Sequence, residues 1–178
     1  MKKIILLLFV GAVMLFAQNP IVVLHTTKGD IKLELYPKVA PKAVENFLGL
    51  VKKGYYNGII FHRVIKGFMV QAGDPTGTGR GGDSIWHRPF KDEFKPGYDF
   101  DKPGVLAMAN RGPNTNTSQF FITTGKASWL NGYYTIFGHI VGGMDALKKI
   151  ENVPTLGKAQ NYRPVNPPKI IKAEIINP

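Results

Sequence analysis

The sequence predicts a mainly β, antiparallel barrel or sandwich in one domain, with two helices. Three observations predict it. Short β-type runs recur along the chain. Turn-rich stretches drawn from 20 Gly and 13 Pro separate them in a chain of 178 residues. Only two segments carry helical spacing. A closed barrel also removes the unpaired edge strands that invite aggregation.

The elements follow in order. Ile21–Thr26 and Ile31–Tyr36 are β-type runs flanking Thr27–Asp30, and the second alternates apolar with polar residues. That pattern predicts a hairpin with one buried face. Pro41 stands where a helix starts, Val44, Phe47, Leu48 and Val51 recur at three- and four-residue spacing, and Gly54 closes the segment. This is an amphipathic helix of about 13 residues. Strand signals return at Ile59–Ile65, Phe68–Ala72, Val105–Ala109, Gln119–Thr123 and Thr135–Ile140. A second helix is expected over Met144–Glu151 and a final strand over Ile170–Ile176. The domain is expected to run from residue 18 to residue 178.

Residues 1–17 read differently. Lys2 and Lys3 precede an uncharged run from Ile4 to Phe16, and Ala17 supplies the small residue a signal peptidase needs. This is the layout of a secretory signal peptide, too short for a comfortable membrane span of about 20 residues. The expectation is a periplasmic or secreted chain that starts near Gln18 and keeps no membrane attachment; an uncleaved anchor is the alternative. Absence of Cys excludes disulfides, thiolate nucleophiles and lipoprotein processing. The net charge is +11, and +9 without the two leader lysines. The basic residues are scattered, without interleaved aromatics, so they read as a solvated face and not as a nucleic-acid site.

Several chemistries are excluded. Gly77–Gly82 matches G-x-G-x-x-G, but no helix pattern follows to meet a pyrophosphate. His25, His62, His87 and His139 have no metal-ligand spacing, and no G-x-S-x-G elbow is present. If the chain is an enzyme, it works without covalent catalysis, metal or cofactor.

The informative residues lie between Phe61 and Gly138. Phe61-His-Arg-Val-Ile-Lys-Gly-Phe-Met-Val-Gln-Ala-Gly-Asp74, Leu106-Ala-Met-Ala-Asn-Arg-Gly-Pro-Asn-Thr-Asn-Thr-Ser-Gln-Phe-Phe-Ile122 and Trp129-Leu-Asn-Gly132 followed by Phe137-Gly138 resemble, in order, three segments of the cyclophilin family. The resemblance extends more weakly over residues 21–177. It implies a closed eight-stranded antiparallel barrel capped by two α-helices, with the site on its outer face. It implies peptidyl-prolyl cis-trans isomerase activity on proline-containing polypeptides, in a chain expected to be a monomer. Arg63 matches the catalytic arginine. Phe68, Met69, Phe121 and Leu130 match the proline-ring pocket. Gln71, Gln119, Ala109 and Asn110 match groups around the bound peptide backbone, and Trp129 matches the tryptophan associated with cyclosporin binding. Tyr134 stands where many members have His, Asn131 replaces the usual Asp, Ala72 a common Gly, and His87 a frequent Gly.

The residues themselves support that chemistry. An X-Pro bond isomerises over a barrier of roughly 18–20 kcal/mol, and no bond to the protein is required. A donor aimed at the prolyl nitrogen lowers the barrier, because that nitrogen's lone pair localises as the amide twists. A permanently charged, planar guanidinium suits the role, and apolar neighbours strengthen it by excluding water. Strand alternation puts Gln119 and Phe121 on one face and Phe120 and Ile122 on the core face. Phe68 and Met69, as neighbours, do not share a face of an ideal strand, and His62 is expected to face away from Arg63. A binding module that holds Pro-containing segments with little turnover is the alternative function.

Overall fold

The computed structural model describes residues 18–177; the proposed leader, residues 1–17, lies outside them. The strands are β1 (Ile21–Thr26), β2 (Gly29–Leu35), β3 (Arg63–Ile65), β4 (Met69–Ala72), β5 (Val105–Met108), β6 (Phe120–Thr123), β7 (Ile136–Gly142) and β8 (Ile170–Asn177). Helix α1 is Pro41–Lys52 and α2 is Met144–Glu151. All pairings are antiparallel, in the order β3-β4-β6-β5-β7-β2-β1-β8. The ring is completed by the segment before β3 meeting the start of β8. Phe61 N donates to Pro168 O at 2.8 Å, and Ile170 N to Ile59 O at 2.8 Å.

The expected elements are present with shifted ends. The run Ile59–Ile65 forms a strand only over Arg63–Ile65, with an isolated bridge from Ile60 to Lys169. The first half of that run is spent on ring closure. The hairpin turn is shorter than Thr27–Asp30, because Gly29 at φ +117° already belongs to β2. Pro41 opens α1, and a carboxylate from a distant loop caps it. Glu93 accepts from Lys42 N at 3.0 Å and Ala43 N at 2.9 Å, which suits the positive end of a helix.

Two apolar clusters result, one on each side of the sheet. The barrel interior and α1 share the larger one, with Val22, Leu24, Ile31, Leu33, Phe47, Leu106, Met108, Phe120, Ile122 and Phe137 all buried. The smaller cluster lies on the outer face and contains Met69, Phe100, Val105, Ala107, Phe121, Ala127, Leu130 and Ile136. Strand alternation produces the split. Along β6, Phe120 and Ile122 point inward and Phe121 outward; along β5, Leu106 and Met108 point inward and Ala107 outward.

Candidate active site on the outer face of the barrel

A cavity of about 280 Å³ opens on the outer cluster. Met69, Phe121 and Leu130 form its buried floor, and Phe68, Ala109 and Tyr134 stand partly buried against them. Phe68 and Met69 meet there for a reason strand geometry does not supply. Gly67 at φ +73° turns the chain, Phe68 N donates to Ile65 O at 3.0 Å, and Phe68 stays outside β4. Phe121 is held on two sides, stacked on Phe100 at 5.8 Å and edge-on to Tyr134 at 5.5 Å. Asn131, where the family usually has Asp, accepts from Phe100 N at 3.0 Å and fixes that stack.

Arg63 opens β3 opposite Gln71 and lines the polar wall of the cavity. Burial lowers its pKa, while the neighbouring Tyr134 and Tyr162 oppose the shift; a guanidinium remains charged regardless. Its Nε is buried with no hydrogen-bond partner among the described residues. A buried charged donor without a partner is costly. The head of the side chain is held by a relay. Arg63 Nη1 lies 3.5 Å from Gln71 Oε1, Gln71 Nε2 donates to Gln119 Oε1 at 2.9 Å, and Gln119 Nε2 donates to Gly79 O at 3.1 Å and Gly81 O at 2.7 Å.

The relay ends on the glycine loop that imitates a dinucleotide motif. The loop is instead wrapped around a carboxylate. Asp74, buried, accepts from Thr76 N and Oγ1, both at 2.8 Å, from Gly79 N at 2.6 Å and from Gly81 N at 3.1 Å. Burial pushes its pKa up, but the bonds from Thr76, Gly81 and Gly79 outweigh that and hold it below the usual range. A Cβ at Gly81 would lie 2.3 Å from Asp74 Oδ1, so the loop closes only with glycine there.

Of the residues predicted from sequence, Arg63, Phe68, Met69, Gln71, Ala109, Asn110, Phe121, Leu130 and Tyr134 line this one cavity. Gln119 sits behind Gln71 and lines a smaller neighbouring cavity of about 50 Å³. Trp129 stands at the rim, 64% exposed, with its ring 5.5 Å from Phe68. Asn110 spends its side chain on Tyr133 O at 2.9 Å, which folds the loop after β5 against the turn that carries Trp129. Three lining residues were not foreseen. Gly79 arrives with the Asp74 loop. Asn161 arrives because Tyr162 O accepts from Val64 N at 3.1 Å, docking the 157–163 arch on β3. His62, expected to face away from Arg63, precedes the regular part of β3 and lines the same cavity. It is 4% exposed, both ring nitrogens lack partners among the described residues, and its pKa is lowered to about 4. Burial is the main cause; Asp74 opposes it, while Arg163 and Arg63 add to it. The imidazole is therefore neutral at neutral pH. Among the described residues no cluster of His, Asp or Glu is placed to hold a metal.

An apolar slot edged by a guanidinium whose Nε has no partner among the described residues lies on the outside of an eight-stranded barrel. Residues 21–175 match the family described as "Cyclophilin type peptidyl-prolyl cis-trans isomerase/CLD". Peptidyl-prolyl cis-trans isomerase-like 3 of Homo sapiens is 54% identical over 145 residues, covering 82% of this chain and 89% of that protein. Peptidyl-prolyl cis-trans isomerase 9 of Schizosaccharomyces pombe is 50% identical over 155 residues, covering 86% of this chain; the chain spans only 25% of that relative. The crystal structure of a Cryptosporidium parvum cyclophilin type peptidyl-prolyl cis-trans isomerase superposes with a TM-score of 0.85 at 44% identity, covering 90% of this chain and 99% of that one. A second structure of that protein was determined in the presence of the dipeptide Ala-Pro, with a TM-score of 0.84. The chain belongs to the cyclophilin-type peptidyl-prolyl cis-trans isomerases.

Proposed function

We propose that this chain isomerises X-Pro bonds in polypeptides exported from the cytoplasm and so assists their folding. The observation that carries the catalytic part is the buried Arg63 Nε without a partner beside an apolar slot. Phe68, Met69, Phe121 and Leu130 hold the proline ring. Gln71, Gln119 and the main chain at Ala109 and Asn110 hold the peptide around it, with Tyr134 and Trp129 at the rim. Arg63 then donates toward the prolyl nitrogen as its lone pair localises. The contact strengthens as the amide twists, so it favours the transition state over the ground state. A module that merely held Pro-containing segments would have no need of a guanidinium at the edge of its slot. The Ala-Pro dipeptide used with the Cryptosporidium protein supports the same ligand class here.

Export rests on Lys2, Lys3 and the uncharged run that follows. It places the mature chain in the periplasm or outside the cell, starting near Gln18, without membrane attachment. We further propose that it acts as a monomer and binds cyclosporin through Trp129. The decisive experiment measures isomerisation of a short X-Pro peptide by wild type and by Arg63→Ala. The expected loss in kcat/KM is about 10²–10³-fold, with substrate binding much less affected and an unchanged circular-dichroism spectrum. A folded Arg63→Ala as fast as wild type defeats the assignment.

A further inference from the structure

We infer that an exposed aromatic depression beside the proline slot docks a large apolar or aromatic side chain of the client, a few residues from its isomerising proline. This rests on the isomerase reading and adds a specificity element to it. Phe94, Trp129 and Tyr133 are 54%, 64% and 67% exposed. They come from two separate segments yet line one cavity of about 520 Å³, larger than the proline slot itself. Clustered exposed aromatics of this kind mark binding surfaces. The cavity adjoins the slot, for both are lined by Asn110, Leu130 and Tyr134.

The depression is preformed. Asn110 ties its floor loop to Tyr133 O at 2.9 Å, Tyr133 N donates to Leu130 O at 3.1 Å, and the ring of Trp129 leans on Phe68. Its charged lining residues, Asp92 and Arg111, are of opposite sign and both engaged. Asp92 accepts from Asn114 N and Asn116 Nδ2 at 2.7 Å each, and Arg111 donates to the carbonyls of Gly79 and Arg80. Neither is left to select a charged client residue, so the surface selects for apolar area. An extended client places a side chain two or three residues from its proline about 7–10 Å along the chain, clear of the slot that holds the ring. A second copy seated there would obstruct the slot it adjoins, which favours the client as occupant.

The test compares three peptides: an alanine-rich X-Pro peptide, and two in which Phe replaces Ala two residues before or two residues after the proline. One Phe peptide is expected to show kcat/KM about 5–10-fold higher than the alanine peptide, through KM. In the double variant Phe94→Ala/Tyr133→Ala that gain is lost, while turnover of the alanine peptide is unchanged. Equal efficiency on all three peptides in wild type, or a gain that survives in the double variant, overturns the inference. So does a concentration-dependent dimer that the double variant dissolves, since the face would then belong to a second copy. Absence of turnover on every peptide overturns the isomerase reading and this inference with it.

Discussion

Replacing Gln119 with leucine severs the relay that joins the Asp74 loop to Arg63 while keeping the side chain about as large. Gln119 is 6% exposed, and its amide serves three bonds: one accepted from Gln71 and two given to Gly79 O and Gly81 O. At a net value near 1 kcal/mol each, their loss costs about 3 kcal/mol of stability. For a domain of this size that lowers Tm by about 6–12 °C. The catalytic effect is separate. Gln71 loses the partner that orients it, and Gln71 is the side chain in reach of Arg63 Nη1. Arg63 stays present and charged, so the loss falls well short of removing it. We expect about 10-fold in kcat, or 1.4 kcal/mol, with KM changed by less than twofold. Thermal unfolding combined with steady-state isomerisation of an X-Pro peptide, well below the lowered Tm, reads both effects. A variant that melts early but keeps wild-type kcat refutes the relay and leaves Gln119 a purely structural residue.

Three further outcomes are expected. His62, with its folded pKa lowered to about 4, stabilises the fold only while neutral. The unfolded chain therefore takes up the extra proton, and up to about 3 kcal/mol is lost as pH falls from about 6.5 to 4. Urea unfolding across that window should be flatter in His62→Gln than in wild type; parallel curves contradict the buried neutral ring. N-terminal sequencing of protein from its native host should begin near Gln18, whereas intact Met1 in the membrane fraction supports an anchor. Titration with cyclosporin should give a saturable change in Trp fluorescence that Trp129→Phe abolishes, and a flat wild-type titration removes Trp129 from that role.

Much of the site was legible through the resemblance of three segments to the cyclophilin family, and strand alternation supported part of its geometry. Phe121 lies on the face opposite Phe120 and Ile122, as alternation requires. What local pattern did not reveal came from chain reversals and distant docking. Phe68 and Met69 share the slot only because Gly67 turns the chain between β3 and β4. Asn161 and Tyr162 adopt φ of +50° and +55°, and Asn161 reaches the site because Val64 N bonds Tyr162 O and Arg163 bonds Gly77 O, contacts distant in sequence. His62 lines the slot beside Arg63 because it precedes the regular part of β3, where alternation does not hold. The glycines of residues 77–82 wrap around Asp74, a partner that their spacing alone does not announce.

The pairing of β1 with β8 bears on how the chain reaches its fold during synthesis. Ile21 lies opposite Asn177, and the ring is sealed by residues 168–170 against 58–61. A ribosome therefore delivers the first stave long before the last. Until β8 emerges, the outer edge of β1 has no neighbour, and Val22, Leu24, Ile31 and Leu33 lack part of their cover. Joining the two ends costs closure entropy over nearly the whole domain before any contact repays it. Closure of the ring therefore waits for β8, the last strand to be made.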